Sequence, residues 1–383
     1  MRKRFWIAAL VFVFIFTFHF GSAYAAEEQA DFSVEDDPIA QFLKENPDRT
    51  SLYLIRNGNK VIDYNSNRQM TLASTSKLII ALEFAKQAAK GKIKPSKKVS
   101  LDDLALFYVP GSDGGAHAAW LQDIEARDVV QNGKVTLQEV AKGMIKYSSN
   151  ANSEYLLMLL GIDNVNENLD DLNFNKHEKL FPAFASIVFV PYSIMSTLDP
   201  ELPFADRVDL VKAELSNMSK KNFIAEANKV FEILQRDKNG QYKEQVIEDL
   251  FPWYDSEIND LIVDRLPKGT TKEYATLMNK INSRSYLSNK VQKELDAVIE
   301  NPLKPDSPFT HIGLKGGSTA KVLTMSFYST DKNGNKIELA LFMNQLSKPE
   351  FNEISQDLGS FLLEKIQDDS FLTELKQSLK KNK

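Results

Sequence analysis

The sequence has no cysteine, which excludes disulfide bonds, a cysteine nucleophile and attachment of a lipid through an N-terminal cysteine. It has only four histidines, and none stands in a His-Glu-x-x-His or similar ligand spacing, which argues against a zinc hydrolase. It also lacks a Gly-x-Ser-x-Gly elbow and a Gly-rich phosphate loop that ends in Lys-Ser or Lys-Thr. We therefore expect no metal and no organic cofactor.

The 383 residues have an ordinary globular composition, with 43% hydrophobic and 26% charged residues. This length suits one large domain or two closely packed ones, and it permits the hydrophobic core on which a protein without disulfides depends. The formal net charge of −5 becomes −8 if residues 1–25 are removed. An acidic protein is a poor candidate for nucleic-acid binding, so we expect no nucleic-acid partner.

The N-terminus has the pattern of a secretory signal peptide. A basic stretch, Met1–Arg4, precedes an apolar run over residues 5–20, and small residues stand at Ala23 and Ala25. We predict cleavage after Ala25 and a secreted, extracytoplasmic protein. The alternative is an uncleaved membrane anchor. Both allow association with the cell envelope.

The clearest chemical signal is Ser74 followed three residues later by Lys77. After Ser74 the apolar spacing is that of an amphipathic helix, with apolar residues at Leu78, Ala81, Leu82, Phe84 and Ala85. Ser74 and Ser76 are typical N-cap residues, so the helix is predicted to begin at this serine cluster. Residues three apart share a helix face, and a lysine whose pKa is lowered by apolar surroundings can activate a serine.

The Ser-x-x-Lys spacing is not specific by itself. It occurs four times, at Ser74, Ser318, Ser329 and Ser378, and only the first opens a long amphipathic helix. Considered alone, Ser74 would be an ordinary helix cap and Lys77 an exposed lysine. The interpretation therefore depends on the rest of the chain.

The remaining pattern predicts an α+β fold. Residues 51–56 and 60–64 are β-type runs on either side of Asn57-Gly58-Asn59, a strong hairpin signal. The middle of the chain is largely helical, and the C-terminal part predicts three strands and a helix, at 311–314, 322–330, 336–344 and 350–365. We expect a mostly antiparallel sheet built from both chain ends, with flanking helices and an inserted all-helical lobe.

A glycine-rich loop, residues 108–120, carries Tyr108, His117 and Trp120. Loops that hold aromatic residues often line clefts. The alternative is a surface connection with its aromatic side chains tucked inward.

Three motifs follow one another in the chain: Ser74-Thr-Ser-Lys77, Ser148-Ser149-Asn150 and Lys315-Gly316-Gly317. In this order and context the chain resembles the serine penicillin-recognising enzymes, especially class A β-lactamases, whose motifs are Ser-x-x-Lys, Ser-Asp-Asn and Lys-Thr-Gly. The resemblance covers residues 45–367. It implies a β-lactamase/transpeptidase-like fold and a serine hydrolase.

The resemblance also divides the chain. We expect a signal peptide (1–25), a loose N-terminal lead-in (26–44), a β-lactamase-like catalytic domain (45–367) and a polar C-terminal tail (368–383). Within the catalytic domain, the helical lobe covers about residues 92–300 and contains an enlarged segment, residues 165–266.

The resemblance implies roles for the catalytic candidates. Ser74 would attack an amide or β-lactam carbonyl, and Lys77 would accept its proton. Ser148 could relay a proton to the departing nitrogen, and Asn150 could hold both Lys77 and the substrate amide.

Four further residues are candidates for substrate binding. Lys315 supplies a cation for a substrate carboxylate, and the backbone N–H groups of Ser74 and Ser318 would form the oxyanion hole. Gly317 and Tyr108 are the other two candidates, beside Lys315 and Ser318.

The chain departs from the family pattern at several points. Ser149 replaces an acidic residue that mainly supports the turn, and Gly316 replaces a threonine for which Ser318 or Thr319 can substitute. No Glu-x-x-Leu-Asn sequence supplies the water-activating glutamate. The nearest similarity is Asp199-Pro-Glu-Leu-Pro, so Asp199 and Glu201 are the weak candidates for a deacylation base. The sequence therefore supports acylation better than turnover.

These observations favour a secreted serine hydrolase that opens β-lactam or amide bonds through an acyl-serine. The first alternative is a D-Ala-D-Ala peptidase or other cell-wall amidase, which would act on peptidoglycan peptides. The second is a penicillin-binding or sensor module that acylates without turnover. A purely structural secreted domain would leave Lys77, Asn150 and Lys315 unexplained as a set.

Overall fold

The computed structural model describes residues 32–250 and 253–380, so the predicted signal peptide lies outside the described residues. Within this part of the chain the strands are β1 Thr50–Arg56, β2 Asn59–Tyr64, β3 Met70–Thr71, β4 Lys98–Ser100, β5 Lys134–Thr136, β6 Lys268–Gly269, β7 Phe309–Thr319, β8 Val322–Asp331 and β9 Lys336–Asn344.

The main sheet has five strands in the order β2-β1-β9-β8-β7, and all its neighbours are antiparallel. β1 pairs with β9, placing Leu52 opposite Leu341, so the two ends of the chain meet in one sheet. This confirms the predicted fold class. β7 is longer than the predicted strand because it continues through Gly316 and Gly317, which weaken a strand signal. It forms one edge of the sheet.

The helices surround this sheet on both faces. In the described residues they are α1 Pro38–Glu45, α2 Lys77–Ala89, α3 Leu101–Ala105, α4 Ala116–Ala126, α5 Leu137–Lys142, α6 Asn150–Leu160, α7 Ile162–Asp171, α8 Ala183–Met195, α9 Phe204–Asn217, α10 Lys220–Arg236, α11 Gln241–Leu250, α12 Ser256–Val263, α13 Thr271–Asn282, α14 Asn289–Ile299, α15 Lys348–Leu363 and α16 Asp369–Lys380. No helix among the described residues is both long enough and apolar enough to cross a membrane.

Alternation along β1 separates two hydrophobic cores, because successive strand residues point to opposite faces. Leu52 and Leu54 pack in the core that contains residues of α1, α15 and α16. Tyr53 and Ile55 pack in the larger core, which the helical lobe shares. The sheet is thus buried on both faces, and α2 runs through the larger core with almost every residue buried.

Helices lie within both the predicted lead-in and the predicted tail. The predicted lead-in contains α1, whose Ile39 and Leu43 are fully buried. Asp37 caps this helix by accepting from the N–H of Ala40 at 2.6 Å. The predicted tail contains α16, whose apolar residues recur at helical spacing and are buried: Phe371, Leu372, Leu375 and Leu379. In both segments a few apolar residues at helical spacing lie among many charged residues, so the overall composition suggests an unpacked terminus.

Candidate active site

Ser74 lies in a 3₁₀ turn, Ala73–Ser76, that leads directly into α2. Ala73, the residue before Ser74, has a left-handed φ of 45°. This backbone conformation costs a non-glycine residue about 1–3 kcal/mol of conformational free energy. The helix begins at the serine cluster as predicted, but the expected capping is wrong. Ser76 Oγ donates to the carbonyl of Ala73 at 2.8 Å, and α2 has no side-chain cap.

Contacts with the sheet hold this turn in place. Thr324 Oγ1 on β8 lies 2.7 Å from Thr75 Oγ1 and donates to the carbonyl of Leu72 at 2.9 Å. β7 approaches so closely that a Cβ on Gly317 would lie 2.6 Å from the backbone nitrogen of Ser74. Only glycine fits there, because real Cβ contacts do not reach such distances. Gly317 therefore positions the serine turn against the strand.

Lys77 is fully buried, one turn after Ser74. Its Nζ donates to Asn150 Oδ1 at 2.7 Å and to the carbonyl of Ser148 at 2.5 Å. It also lies 4.2 Å from the centre of the Phe184 ring. Burial lowers the pKa of Lys77 well below its ordinary value, and the nearby Lys315 lowers it further. Both effects favour the neutral amine, which is the form that can accept a proton, and the carboxylates of Asp113 and Glu154 oppose them.

The second motif joins a π-helical turn, Gly143–Tyr147, to α6. Ser149 caps α6 by accepting from the N–H of Asn152 at 3.2 Å, so this serine supports the turn as an acidic residue would. Ser148 adopts a left-handed φ of 67°. Its Oγ accepts from Lys315 Nζ at 2.9 Å and lies 3.4 Å from Lys77 Nζ. The hydroxyl thus bridges the two lysines.

Lys315 lies on the edge strand β7 and is also buried. Its Nζ donates to Ser148 Oγ and, at 2.6 Å, to the carbonyl of Gly316. Burial lowers the pKa of Lys315 to about 7. Because an edge strand leaves part of its backbone unpaired, β7 can offer N–H groups to a ligand as well as this side chain.

The three motifs meet at a cleft of about 610 Å³, within the usual range for small-molecule sites of about 300–1,000 Å³. Six predicted site residues line it: Ser74, Ser148, Asn150, Lys315, Gly317 and Ser318. Lys77 lies behind this lining and reaches it through Asn150 and Ser148. The enlarged segment contributes other parts of the lining, including Phe184, Ile187, Asn259 and Val263.

Asp113 is a buried carboxylate of the cleft that the sequence analysis missed. Its Oδ1 accepts from Tyr108 OH at 3.0 Å, and its Oδ2 accepts from the N–H of His117 at 3.0 Å and of Asn150 at 3.3 Å. The glycine-rich loop therefore does reach the cleft, and it does so through Asp113. Its position within that loop was the available signal.

Tyr108 does not occupy its predicted place. It was expected to bind substrate, but it lies behind the cleft lining, where its hydroxyl holds Asp113. The ring is buried and packs against the His117 ring at a tilt of 55°, with 4.7 Å between ring centres. His117 Nδ1 lies 2.9 Å from Ser149 Oγ. Burial lowers the pKa of His117 to about 4, so it is neutral at physiological pH.

The structure does not bring the two predicted deacylation bases to the cleft. Asp199 and Glu201 are exposed in the turn between α8 and α9, and neither is part of the lining. Asp199 Oδ1 accepts from the N–H of Glu201 at 2.9 Å, so the acid stabilises its own turn. The similarity of Asp199-Pro-Glu-Leu-Pro to the family motif therefore did not predict the position of these carboxylates, because the enlarged segment places their turn outside the lining of the Ser74 cleft.

A family model described as the β-lactamase enzyme family matches residues 36–236, just over half of the chain. The chain belongs to this family, which confirms the resemblance of the three motifs. No curated protein matches it.

The chain is similar to several solved structures. A β-lactamase from Sphaerobacter thermophilus DSM 20745 is 14% identical, with 88% of this chain and 93% of that chain covered and a TM-score of 0.50. A class A β-lactamase representative from Bacteroides cellulosilyticus DSM 14838 is 14% identical, with coverage of 90% and 99% and a TM-score of 0.47. A mutant of PBP-A, solved as an acyl-enzyme complex with penicillin G, is 15% identical, with coverage of 90% and 95% and a TM-score of 0.47.

Proposed function

We propose that this protein is a serine hydrolase that opens the C–N bond of β-lactams or peptides through an acyl-serine at Ser74. The observation that carries the proposal is the burial of Lys77 one turn after Ser74, with its Nζ held by Asn150 and Ser148. Because burial lowers the pKa of Lys77, the neutral amine is available to take the serine proton.

The acylation step uses the residues around this lysine. Ser74 Oγ bonds to the substrate carbonyl carbon while its proton passes to Lys77 Nζ. The oxyanion is stabilised by the backbone N–H groups of Ser74 and Ser318. The C–N bond breaks as Ser148 Oγ gives its proton to the departing nitrogen and receives one from Lys77, 3.4 Å away.

Lys315 supports a substrate that carries a carboxylate. β-Lactams and D-Ala-D-Ala peptides both have one, and the lysine lies on the cleft lining beside Ser148. The pKa of Lys315 is about 7, so the neutral and charged forms are both accessible near neutral pH. A substrate carboxylate beside the amine favours the charged form. The same geometry therefore serves β-lactam hydrolysis and cell-wall peptidase activity.

Slow hydrolysis of the acyl-enzyme is the second part of the proposal. The predicted bases Asp199 and Glu201 lie outside the cleft lining, and the Phe184 ring covers Lys77. Both oxygens of Asp113 accept hydrogen bonds from the surrounding loop and turn. Asp255, the other carboxylate in the described part of the lining, pairs with Lys212 at 2.7 Å and accepts from the N–H of Ile258 at 3.0 Å. Each carboxylate of the described lining is thus already engaged, which favours acylation over turnover and a penicillin-binding role.

The test is the intact mass of the purified chain over time after mixing with a fluorescent penicillin, with Ser74→Ala as control. We expect an adduct on the wild type that persists, and none on the variant. Absence of an adduct with penicillin, with a D-Ala-D-Ala peptide and with an activated ester would refute the proposal.

We also propose that the protein acts outside the cytoplasm, on the basis of the basic and apolar N-terminal sequence. N-terminal sequencing of the exported protein should begin at Ala26. A mature chain that retains Met1 in the membrane fraction would instead indicate an anchor.

A further inference from the structure

Glu154 is a buried carboxyl on α6 that the acylation mechanism does not use. It is fully buried, one turn after Asn150. Its Oε1 accepts from the N–H of Phe184 at 2.8 Å and of Ala185 at 2.9 Å, in the first turn of α8. Its Oε2 is buried without a hydrogen-bond partner in the described part of the protein. Such an unsatisfied oxygen is rare in a folded protein and requires an explanation.

The unpaired oxygen belongs to a residue that lines a second, small cavity. This cavity of about 10 Å³ is bounded by Glu154, Ser76, Ser153 and Pro267, among others, and by Phe184. Its volume is about that of one water position. Among the described residues, Phe184 is the side chain that lines both this cavity and the cleft of Ser74.

Phe184 therefore lies between the free carboxylate oxygen and the site of acylation. Its ring is half-buried and lies 4.2 Å from Lys77 Nζ, while its backbone N–H is fixed by Glu154. The charged group that faces Glu154 is Lys77 of α2, and α8 faces it with two backbone N–H groups. The carboxyl is thus close enough to interact with the catalytic lysine.

We propose that Glu154 is a water-activating base for hydrolysis of the acyl-enzyme and that Phe184 is the partition that keeps it from the ester. The proposal rests on the proposed acylation of Ser74. When the ring is displaced, Glu154 takes a proton from a water molecule and the water oxygen bonds to the acyl carbonyl carbon. The bond to Ser74 Oγ then breaks, Glu154 returns the proton to that oxygen, and the acid product leaves.

The ionisation of Glu154 suits this task. Burial raises its pKa to about 7, and the two backbone N–H groups and Lys77 oppose that rise. A general base is most effective when its pKa lies near the working pH. The carboxyl is also placed on the helix that begins with Asn150, so it is held by the same element as the second motif.

The experiment compares the lifetime of the penicillin adduct on the full chain and on the Phe184→Ala, Glu154→Gln and doubly substituted variants. In the Phe184→Ala variant we expect the adduct to decay at least about 100-fold faster than in the wild type, which is the usual contribution of a general base. The double variant should lose that gain, because it lacks the base.

The outcomes separate this inference from the proposed function. Failure of every variant to form an adduct refutes acylation and, with it, this inference. An adduct that forms but decays equally slowly in the wild type and Phe184→Ala refutes the inference alone, as does a double variant that decays as fast as Phe184→Ala. Phe184→Leu, which removes the ring but preserves apolar packing, is the second variant in case Phe184→Ala fails to fold. Circular dichroism checks the folding of every variant.

The pH profile distinguishes catalysis from a structural effect. If Glu154 is the base, adduct decay in Phe184→Ala should accelerate as the pH rises between about 4.5 and about 7, the ordinary pKa of a glutamate and the pKa of this carboxyl when buried, and should level off above it, because the carboxyl must be ionised. A rate that does not change over this range would show that Glu154 acts only by holding α8.

Discussion

The two sides of the Ser74 cleft have different chemistry. The side formed by the serine turn, the second motif and β7 is rich in hydroxyl, amide and amine groups, whereas α8 contributes the apolar Phe184 and Ile187. The first side is suited to forming an ester, and the second keeps water away from it. In the proposed mechanism, acylation and hydrolysis therefore depend on separate elements of this chain, so each can be altered alone.

Removal of Lys77 should have the largest effect. Lys77→Met keeps an unbranched side chain in the core but removes the proton acceptor. We expect the rate constant for acylation by penicillin to fall about 100–10,000-fold. Lys86→Met is the matched control on the same helix, because Lys86 only forms an ion pair with Asp171 at 2.7 Å. Equal acylation rates for the two variants would contradict the role of Lys77.

Removal of Lys315 should slow acylation by substrates that carry a carboxylate more than acylation by uncharged ones. A hydrogen bond to a charged group is worth about 1.5–3 kcal/mol, so Lys315→Ala should slow their acylation by about 10- to 150-fold. Lys321→Ala, which removes an exposed ion pair with Asp260, is the control on the same hairpin. Equal losses for a penicillin and for an uncharged activated ester would show that Lys315 does not recognise the carboxylate.

The pH dependence of this preference follows from the same lysine. Lys315 is cationic below its pKa of about 7 and neutral above it. The ratio of acylation rates for the carboxylate substrate and the uncharged ester should therefore fall as pH rises through 7. A ratio that rises or stays constant between pH 6 and about 9 would be inconsistent with the lowered pKa.

A methyl group at Gly317 should have a smaller, mainly structural effect. In Gly317→Ala the new Cβ would lie 2.6 Å from Ser74 N, so the turn or β7 must shift, at a cost of about 1–3 kcal/mol. Gly316→Ala is the control, since its Cβ would meet the flexible end of Met325 at 3.1 Å. Thermal unfolding and the acylation rate measure the difference, and equal behaviour would exclude a special role for Gly317.

The sequence predicted the fold class and most of the cleft's polar side because these features are local. The hairpin turn around Gly58, the strand alternation and the three motifs are each contained in a few consecutive residues. The three motifs meet at one cleft because the serine turn, the start of α6 and strand β7 pack against one another. Tyr108 shows the limit, since its ring packs inward and its hydroxyl contacts Asp113, which lines the cleft.

The apolar side could not be predicted because it depends on contacts between distant segments. Thr324 reaches the serine turn from a strand about 250 positions later. Phe184 covers Lys77, and its backbone N–H in the first turn of α8 is held by Glu154, 30 positions earlier. Asp199 resembled a family motif locally, but the fold of the enlarged segment leaves it exposed. Tertiary packing, rather than local pattern, decides these positions.

The most direct test of the account is a rapid-mixing measurement of the wild-type protein with a chromogenic β-lactam in excess. We expect a burst of product equal to one molecule per Ser74, followed by a much slower steady rate, because the ester forms quickly and is hydrolysed slowly. A linear time course without a burst, at a rapid steady rate, would contradict it and would show that the acyl-enzyme already has an efficient base for water.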